Sequence, residues 1–281
     1  MTETTKGRVF LLAAFLCPVI AGVVFMAFAG APSAYLIANV GAGLLVAMAF
    51  MLAPQMDRRT SLFAVTVIVP ALLGFTFLGP AIHDVHRWIA LGPLKLHGAM
   101  LALPLLATQL FRHERRVVAA VAALTALIVA LQPDRASAFA VFLLSLCWLG
   151  YRYDRWSLVT ILVSGTALAV TILKTDSLPP VRFVEYVLED AASVHIGVVA
   201  CLLTSIAVPI AMPVYAGRRG ELPRLAPAVA WSACLTGYFF ASLVGPYPTP
   251  LLGYGVSPIL GFGLALAMLG RDGNEAAWTP R

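Results

Sequence analysis

The residues with the most chemical potential in this 281-residue chain stand in short polar stretches between long apolar runs. The stretch DVHRWIALGPLKLHG, residues 84–98, contains an acid, two histidines, an arginine, a tryptophan and a lysine. Arg87 is the best candidate for a phosphate contact, because a guanidinium binds phosphate oxygens through two parallel hydrogen bonds. The structural alternative is an interfacial collar, in which Trp88 anchors the loop while Arg87 and Lys95 extend to lipid headgroups.

A second polar stretch is LQPDRAS, residues 131–137, which contains Gln132 and Asp134. Asp134 is a candidate for orienting Arg87 or a substrate hydroxyl. The structural alternative is a turn between two helices, in which Pro133 ends the first helix and Asp134 caps the second.

A third stretch, VEYVLED at residues 184–190, contains three carboxylates, Glu185, Glu189 and Asp190. A carboxylate within hydrogen-bond reach of a reacting hydroxyl can act as its general base. The structural alternative is that these acids form the solvated face of an amphipathic loop helix.

A fourth stretch, GPYPTPLLGYGVSP at residues 245–258, is uncharged but dense in glycine, proline and tyrosine. Tyr254 and Ser257 could present hydroxyl groups and a helix N-terminus to a substrate. The structural alternative is a glycine-rich helix start that lets two helices approach closely.

The apolar runs around these stretches predict a polytopic membrane protein. The chain is 60% hydrophobic and 11% charged, with a mean hydropathy of +0.90, whereas soluble domains contain about 25% charged residues. Runs of about 17–22 apolar residues are long enough to cross a bilayer as helices. We expect an all-α fold in a single integral membrane domain over residues 1–281. About ten spans are predicted, at residues 8–29, 34–53, 61–81, 96–111, 116–132, 136–151, 156–173, 192–215, 226–245 and 251–270.

Loop charges predict that both termini lie in the cytoplasm. With that orientation, the inner loops and the termini hold 14 of the 19 lysines and arginines, as the positive-inside rule requires. The net charge of +6 then lies next to anionic lipid headgroups, which we expect to be partners of this surface. The sequence contains no basic patch with interleaved aromatic residues, so the charge gives no support to nucleic-acid binding.

The sequence offers no evident metal, disulfide or nucleotide site. Cys17, Cys147, Cys201 and Cys234 all fall inside predicted spans, where free cysteines act as small packing residues. No cysteine pair has metal-ligand spacing, and the outer-face histidines lack i, i+4 pairing. The sequence also lacks a nucleotide-binding loop, which argues against a self-contained ATP-driven pump.

The polar stretches occur in an order that resembles the FtsW/RodA/SpoVE family, the shape, elongation, division and sporulation (SEDS) glycosyltransferases. In that family an outer loop reads approximately G-x-x-R-W-I-x-L-G-P, followed by Q-P-D-L-G-T-A and by P-F-I-S-Y-G-G-S at the last helix. The matching residues here are Arg87, Trp88, Ile89, Leu91, Gly92, Pro93, Gln132, Pro133, Asp134, Pro250, Tyr254, Gly255 and Ser257. The resemblance covers most of the chain.

The resemblance implies polymerisation of a lipid-linked disaccharide, lipid II, on the outer face of the bacterial cytoplasmic membrane, in cell division or cell-shape maintenance. It places the general base in the outer loop at 174–192, where Glu185 matches the family's aspartate in one alignment; Glu189 and Asp190 remain alternatives. It also implies a transpeptidase (penicillin-binding protein) partner. The need for a divalent cation stays open.

The chain departs from the family pattern at two positions that follow the Arg-Trp loop. Met100 and Leu103 stand where the family has an acid and a lysine. Losing both charges together is self-consistent, because losing one would leave the other uncompensated. The loss motivates a second hypothesis, a catalytically weakened relative that scaffolds or regulates cell-wall synthesis. A lipid or small-solute transporter ranks third, because the spans offer only scattered polar residues near their middles.

Overall fold

The computed structural model describes residues 3–52, 57–174, 178–220, 222 and 225–269. Helices dominate these ranges. In chain order the helices are α1 (Glu3–Phe28), α2 (Ser33–Leu52), α3 (Arg58–Phe63), α4 (Val69–Gly74), α5 (Gly98–Gln109), α6 (Arg115–Leu131), α7 (Arg135–Tyr151), α8 (Arg155–Leu173), α9 (Val187–Val194), α10 (Ile196–Arg218), α11 (Leu225–Val244) and α12 (Val256–Leu269).

Apart from α9, the described helices correspond to the ten predicted spans. α3 and α4 are joined by a π-helical stretch (Ala64–Ile68) and continued by a 3-10 turn (Phe75–Leu78), so that Arg58–Leu78 forms one span. Six helices, this one included, are long and apolar enough to cross a membrane, and α5, α7 and α12 are shorter apolar helices. α6 occupies the remaining predicted span. The prediction of an all-α polytopic membrane protein is therefore confirmed.

The alternation of spans places the two described ends of the chain on the same side of the bundle. The helix α1 begins where α2, α5, α7 and α10 end, and α12 ends there too. This arrangement is the one that two cytoplasmic termini require. The side of the membrane itself stays a prediction from the loop charges.

The shortest spanning helices, α5 and α12, lie in the middle of the bundle. With 12 and 14 residues, they measure about 18 and 21 Å, less than the roughly 30 Å of a hydrocarbon core. Most of their side chains are buried, and they pack against each other. A Cβ added at Gly261 would collide with the carbonyl oxygen of Met100, so the two helices cross at backbone contact. Protein segments, not lipid, therefore cover their outer ends.

A β-hairpin that the sequence analysis did not predict stands before α5. β1 (Trp88–Leu91) pairs antiparallel with β2 (Leu94–His97), with Trp88 opposite His97. Gly92 has a φ of +58°, and the ring of Pro93 fixes its own φ at a negative value. A positive φ followed by a negative φ is the pattern of a two-residue type II′ turn. α5 consequently begins at Gly98 and not at residue 96.

The outer segment before α10 contains the short helix α9. Its residues Val187 and Ala191 are buried, while Glu189 is exposed. VEYVLED is therefore partly helical, as its structural alternative predicted, and α10 begins at Ile196 and not at residue 192. Within the predicted loop at 174–192, residues 175–177 lie outside the described residues.

Candidate functional site

A cavity of about 390 Å³ lies at the ends of the helices that the loop charges predict to face outward. Its walls come from the β-hairpin, the first turn of α5, the turn between α6 and α7, and the segments 178–185 and 246–258. Six of the nine predicted site residues line this cavity, namely Arg87, Trp88, Asp134, Glu185, Tyr254 and Ser257. The fold thus brings all four polar stretches of the sequence to one place.

The hairpin holds Trp88 against the end of the third span. A Cβ at Gly79 would collide with the carbonyl oxygen of Trp88, so this close approach requires glycine. Across the hairpin, the Trp88 ring meets the His97 ring edge to face, with centroids 6.2 Å apart. Trp88 is thereby held in the cavity wall by packing inside the protein, and the purely interfacial role is not required to explain it.

Arg87 lies in the cavity wall with only 5% of its surface exposed. Its Nε donates to the carbonyl oxygen of Gln132 at 3.1 Å, and its Nη2 donates to that of Pro133 at 2.6 Å. The guanidinium therefore ties the hairpin to the α6–α7 turn. Two of its five donors are committed to this turn, which leaves fewer for a phosphate than the sequence analysis assumed.

Asp134 is the most buried acid of the site, with 1% exposure. It caps α7, as its structural alternative predicted, by accepting hydrogen bonds from the backbone N–H and the hydroxyl of Ser137. Its Oδ2 also lies 3.3 Å from His97 Nε2. Burial alone would raise the pKa of Asp134, but His97, Arg87 and Ser137 together bring the pKa below its usual value, so the carboxyl group is ionised.

His97 is a central residue of the site that the sequence analysis did not assign. Its Nδ1 accepts the N–H of Met100 at 3.4 Å and so caps α5. Nε2 is then the nitrogen that carries the proton and donates to Asp134. The backbone N–H of His97 donates to Ser257 Oγ at 2.7 Å, which joins α12 to the same network. A histidine immediately before the apolar run of α5 was the available signal.

Glu185 stands on a strained outer segment that points it toward the cavity. Its neighbours Phe183 and Tyr186 have φ values of +67° and +58°, a region that costs about 1–3 kcal/mol for residues other than glycine. The backbone N–H of Val181 donates to Glu185 Oε2 at 2.6 Å. Glu185 is partly exposed, whereas Asp134 is buried, so Glu185 is the cavity carboxylate that a substrate hydroxyl can reach more directly.

The Glu185 segment is docked onto the segment before α12 by backbone hydrogen bonds. Thr249 N donates to Val184 O at 2.9 Å, and Tyr254 N donates to Phe183 O. A Cβ at Gly253 would stand 2.7 Å from Phe183 O, so the close approach requires glycine there. This docking fixes the position of Glu185 relative to Tyr254 and so builds one wall from two distant parts of the sequence.

The three other predicted site residues do not line the cavity. Gln132 is buried, and its Nε2 donates to Thr76 Oγ1. Glu189 is exposed on α9, and Asp190 lies 3.9 Å from Arg182 in a partly exposed ion pair. Among the alternatives for the base, the geometry therefore favours Glu185 over Glu189 and Asp190.

Asn39, on α2, fixes the turn that leads into α12. Its Nδ2 donates to Gly253 O at 2.9 Å, and its Oδ1 accepts from Gly255 N at 3.1 Å. Tyr35, one turn earlier on α2, stacks on Tyr254 with centroids 3.8 Å apart. Neither residue was predictable from the sequence, because their function depends on a contact between the second and the last span.

Replacing Asn39 by leucine should lower the apparent melting temperature of the detergent-solubilised protein by several degrees. The change leaves the buried Gly253 carbonyl without its partner, at about 1–3 kcal/mol, and removes the acceptor of the partly buried Gly255 N–H. Each kcal/mol shifts the melting temperature by roughly 2–4 °C. The matched control is Val40→Ala on the neighbouring position, which is 47% exposed on the surface of the bundle. Equal melting temperatures for Asn39→Leu and wild type would contradict this assignment.

The two departures from the family pattern lie in the buried core of α5. Met100 is 2% exposed and lines the cavity, and Leu103 is 0% exposed. Met100 therefore contributes an apolar residue to the cavity lining. Both side chains are accommodated without a buried unpaired charge, as the sequence analysis expected from their joint replacement.

Within the described residues, no group of three or more His, Cys, Asp or Glu side chains is arranged to hold a metal ion. The four cysteines are free thiols.

No family model matches the sequence, and no curated protein matches it. Solved structures do. The rod shape determining protein RodA of Thermus thermophilus matches with 22% identity and a TM-score of 0.65 over 94% of this chain and 95% of that chain. An Asp-to-Ala mutant of the same protein matches with 23% identity and a TM-score of 0.67, at the same coverage.

A third match comes from a structure of a peptidoglycan synthase complex, described as coordinating polymerization and crosslinking. It has 24% identity and a TM-score of 0.60, and it covers 95% of this chain and 97% of that chain. These likenesses define the class of the fold, which is that of polytopic helical membrane proteins. The particular fold is that of RodA, so the fold relationship to the SEDS family that the motifs predicted is confirmed.

Proposed function

We propose that this protein is a peptidoglycan-type glycosyltransferase that polymerises a lipid-linked disaccharide, lipid II, at the outer face of the bacterial cytoplasmic membrane. The observation that supports this most is that Arg87, Trp88, Asp134, Glu185, Tyr254 and Ser257 line the same cavity in a RodA-like fold. These residues come from four separate segments, and each segment matches a motif of the SEDS pattern or its outer loop.

The proposed reaction joins two sugars and releases a prenyl pyrophosphate. The hydroxyl oxygen of one chain attacks the anomeric carbon of another, the bond from that carbon to the pyrophosphate oxygen breaks, and the hydroxyl proton passes to a carboxylate. Glu185 is the proposed general base, because it is partly exposed in the cavity wall and held by the Val181 N–H. Asp134 remains ionised and satisfied by His97 and Ser137, so it orients the site.

A transpeptidase of the penicillin-binding protein class is the proposed partner. The support is the structural likeness to a chain from a complex that coordinates polymerization and crosslinking. In this proposal the partner crosslinks the polymer that the present chain makes. The assay below is therefore run with and without such a partner.

The test is polymerisation of lipid II by the purified protein, comparing wild type with Glu185→Gln. Glutamine keeps the size of the side chain but cannot take up a proton, so we expect polymer from wild type and a loss of about 10²-fold or more from the variant. Polymer from both proteins would reassign the base to Glu189 or Asp190. Parallel reactions with Mg²⁺ and with a chelator show whether a divalent cation is required.

The second candidate function is a membrane scaffold or regulator of cell-wall synthesis. The observation that favours it is the apolar residue Met100 in the cavity lining, where the SEDS pattern has an acid. No polymer from a folded wild-type sample, with the transpeptidase present, would select this function over the enzyme.

A further inference from the structure

We propose that Lys95 binds the phosphate-bearing leaving group of the substrate directly, whereas Arg87 supports the wall beneath it. This inference rests on the proposed function, because it names the residue that meets the pyrophosphate within the same cavity. It starts from the charged residues that line the cavity, which are Arg87, Lys95, Asp134 and Glu185.

Three of these four charges already have partners inside the protein. Arg87 donates to the carbonyls of the α6–α7 turn, Asp134 accepts from His97 and Ser137, and Glu185 accepts from the Val181 N–H. Lys95 is exposed on β2 and has no hydrogen-bond or ion-pair partner among the described residues. It is therefore the cavity cation whose donors are available to a ligand.

The flexible ammonium group of Lys95 also suits a cavity whose lining has no net formal charge. Two formal positive charges and two formal negative charges line it, so a pyrophosphate would enter a wall with no net positive charge. A lysine ammonium provides three donors on a flexible stem, and it can turn toward an anion without breaking an existing contact. Arg87 is held in place by its bonds to the carbonyl oxygens of Gln132 and Pro133, so its planar fork cannot turn freely in the same way.

The position of Lys95 compensates for a departure from the SEDS pattern. Leu103 stands where that pattern has a lysine, and it is fully buried in α5. Lys95 precedes α5 on the hairpin and lines the cavity, whereas Leu103 does not line it. The anion-binding charge is thus supplied by the hairpin. Glu185 and Lys95 stand on different segments, which separates the proposed proton acceptor from the proposed leaving-group site.

The test measures binding of farnesyl pyrophosphate to the purified protein in phosphatidylcholine nanodiscs, so that no polymerisation is needed. We expect Lys95→Met to raise the Kd about tenfold, which corresponds to the loss of one charge-assisted hydrogen bond. Lys95→Arg should recover most of the affinity. Farnesol, which has the same tail without the phosphates, should bind wild type and Lys95→Met equally. Raising the salt concentration should weaken binding to wild type more than binding to Lys95→Met.

Arg182→Met is the charge-matched control, because it removes one outer-face cation whose guanidinium lies over the Phe183 ring and does not line the cavity. Equal Kd values for wild type and Lys95→Met, or no binding to wild type, would overturn the proposal; equal values would make Lys95 a lipid-headgroup contact. If Lys95→Met lost as much affinity for farnesol as for farnesyl pyrophosphate, the substitution would be disturbing the cavity itself, and this would also overturn the proposal. Probe binding through Lys95 without any polymer would refute the proposed function and keep this inference.

Discussion

Replacing Asp134 by alanine should lower the apparent melting temperature by roughly 6–12 °C, as expected for the loss of about 3 kcal/mol. The carboxylate is 1% exposed and accepts from Ser137 and His97. Without it, the Ser137 donors and His97 Nε2 lose a buried acceptor, and the buried Arg87 guanidinium loses a nearby negative charge. The measurement is a thermal-unfolding assay on the solubilised protein, with polymerisation as a second readout.

Two further variants separate the charge of Asp134 from its size. Asp134→Asn keeps the volume and one acceptor oxygen, so its melting temperature should lie between those of wild type and Asp134→Ala. Asp190→Ala makes the same chemical change in a partly exposed ion pair with Arg182 at 3.9 Å, where a loss of at most about 1 kcal/mol is expected. If Asp134→Ala and Asp190→Ala unfold at the same temperature, the buried network does not stabilise the fold.

The spans were predictable because lipid imposes a simple rule on sequence. Helices of about 20 apolar residues cross a bilayer, and α1, α2 and α10 match their predicted spans within a few residues. The rule is less informative at the centre of the bundle. There α5 and α12 are shorter than a membrane is thick, because the hairpin and the segment before α12 take the place of helix at the outer side.

The hairpin was missed because its sequence is ambiguous. WIAL and LKLH continue the apolar run of α5, and periodicity alone cannot distinguish a short apolar strand from a helix. The Gly92–Pro93 pair was the signal for a two-residue turn between strands. The consequence is functional, because the hairpin brings Trp88 and Lys95 into the cavity wall.

The sequence motifs predicted which residues belong to the site, but they did not predict which side chains those residues contact. Arg87, Asp134 and Glu185 were predicted, and all three line the cavity. Their partners could not be predicted, because His97 reaches Asp134 only when the hairpin and the α6–α7 turn are packed together. The same limit hid Asn39, whose two hydrogen bonds cross more than 200 positions of sequence, from 39 to 253 and 255.

Replacing Arg87 by lysine should destabilise the protein nearly as much as replacing it by alanine. The Nε and Nη2 groups donate to two different carbonyl oxygens, and one ammonium cannot reproduce that planar fork. Each hydrogen bond from a charged donor is worth about 1.5–3 kcal/mol, so losing both should lower the melting temperature of either variant by roughly 6–24 °C. A pure phosphate contact predicts a different result, in which lysine keeps the charge and preserves both stability and ligand binding.

Comparing Arg87→Lys with Lys95→Met assigns a separate function to each cation. Lys95 is exposed and without a partner among the described residues, so Lys95→Met should melt at the wild-type temperature and lose affinity for farnesyl pyrophosphate. Arg87→Lys should show the opposite result. Its melting temperature should be lower than that of wild type, and its affinity for farnesyl pyrophosphate, measured while the protein is still folded, should be close to that of wild type. If Arg87→Lys instead melts like wild type, the guanidinium does not hold the α6–α7 turn, and Arg87 returns as the phosphate contact.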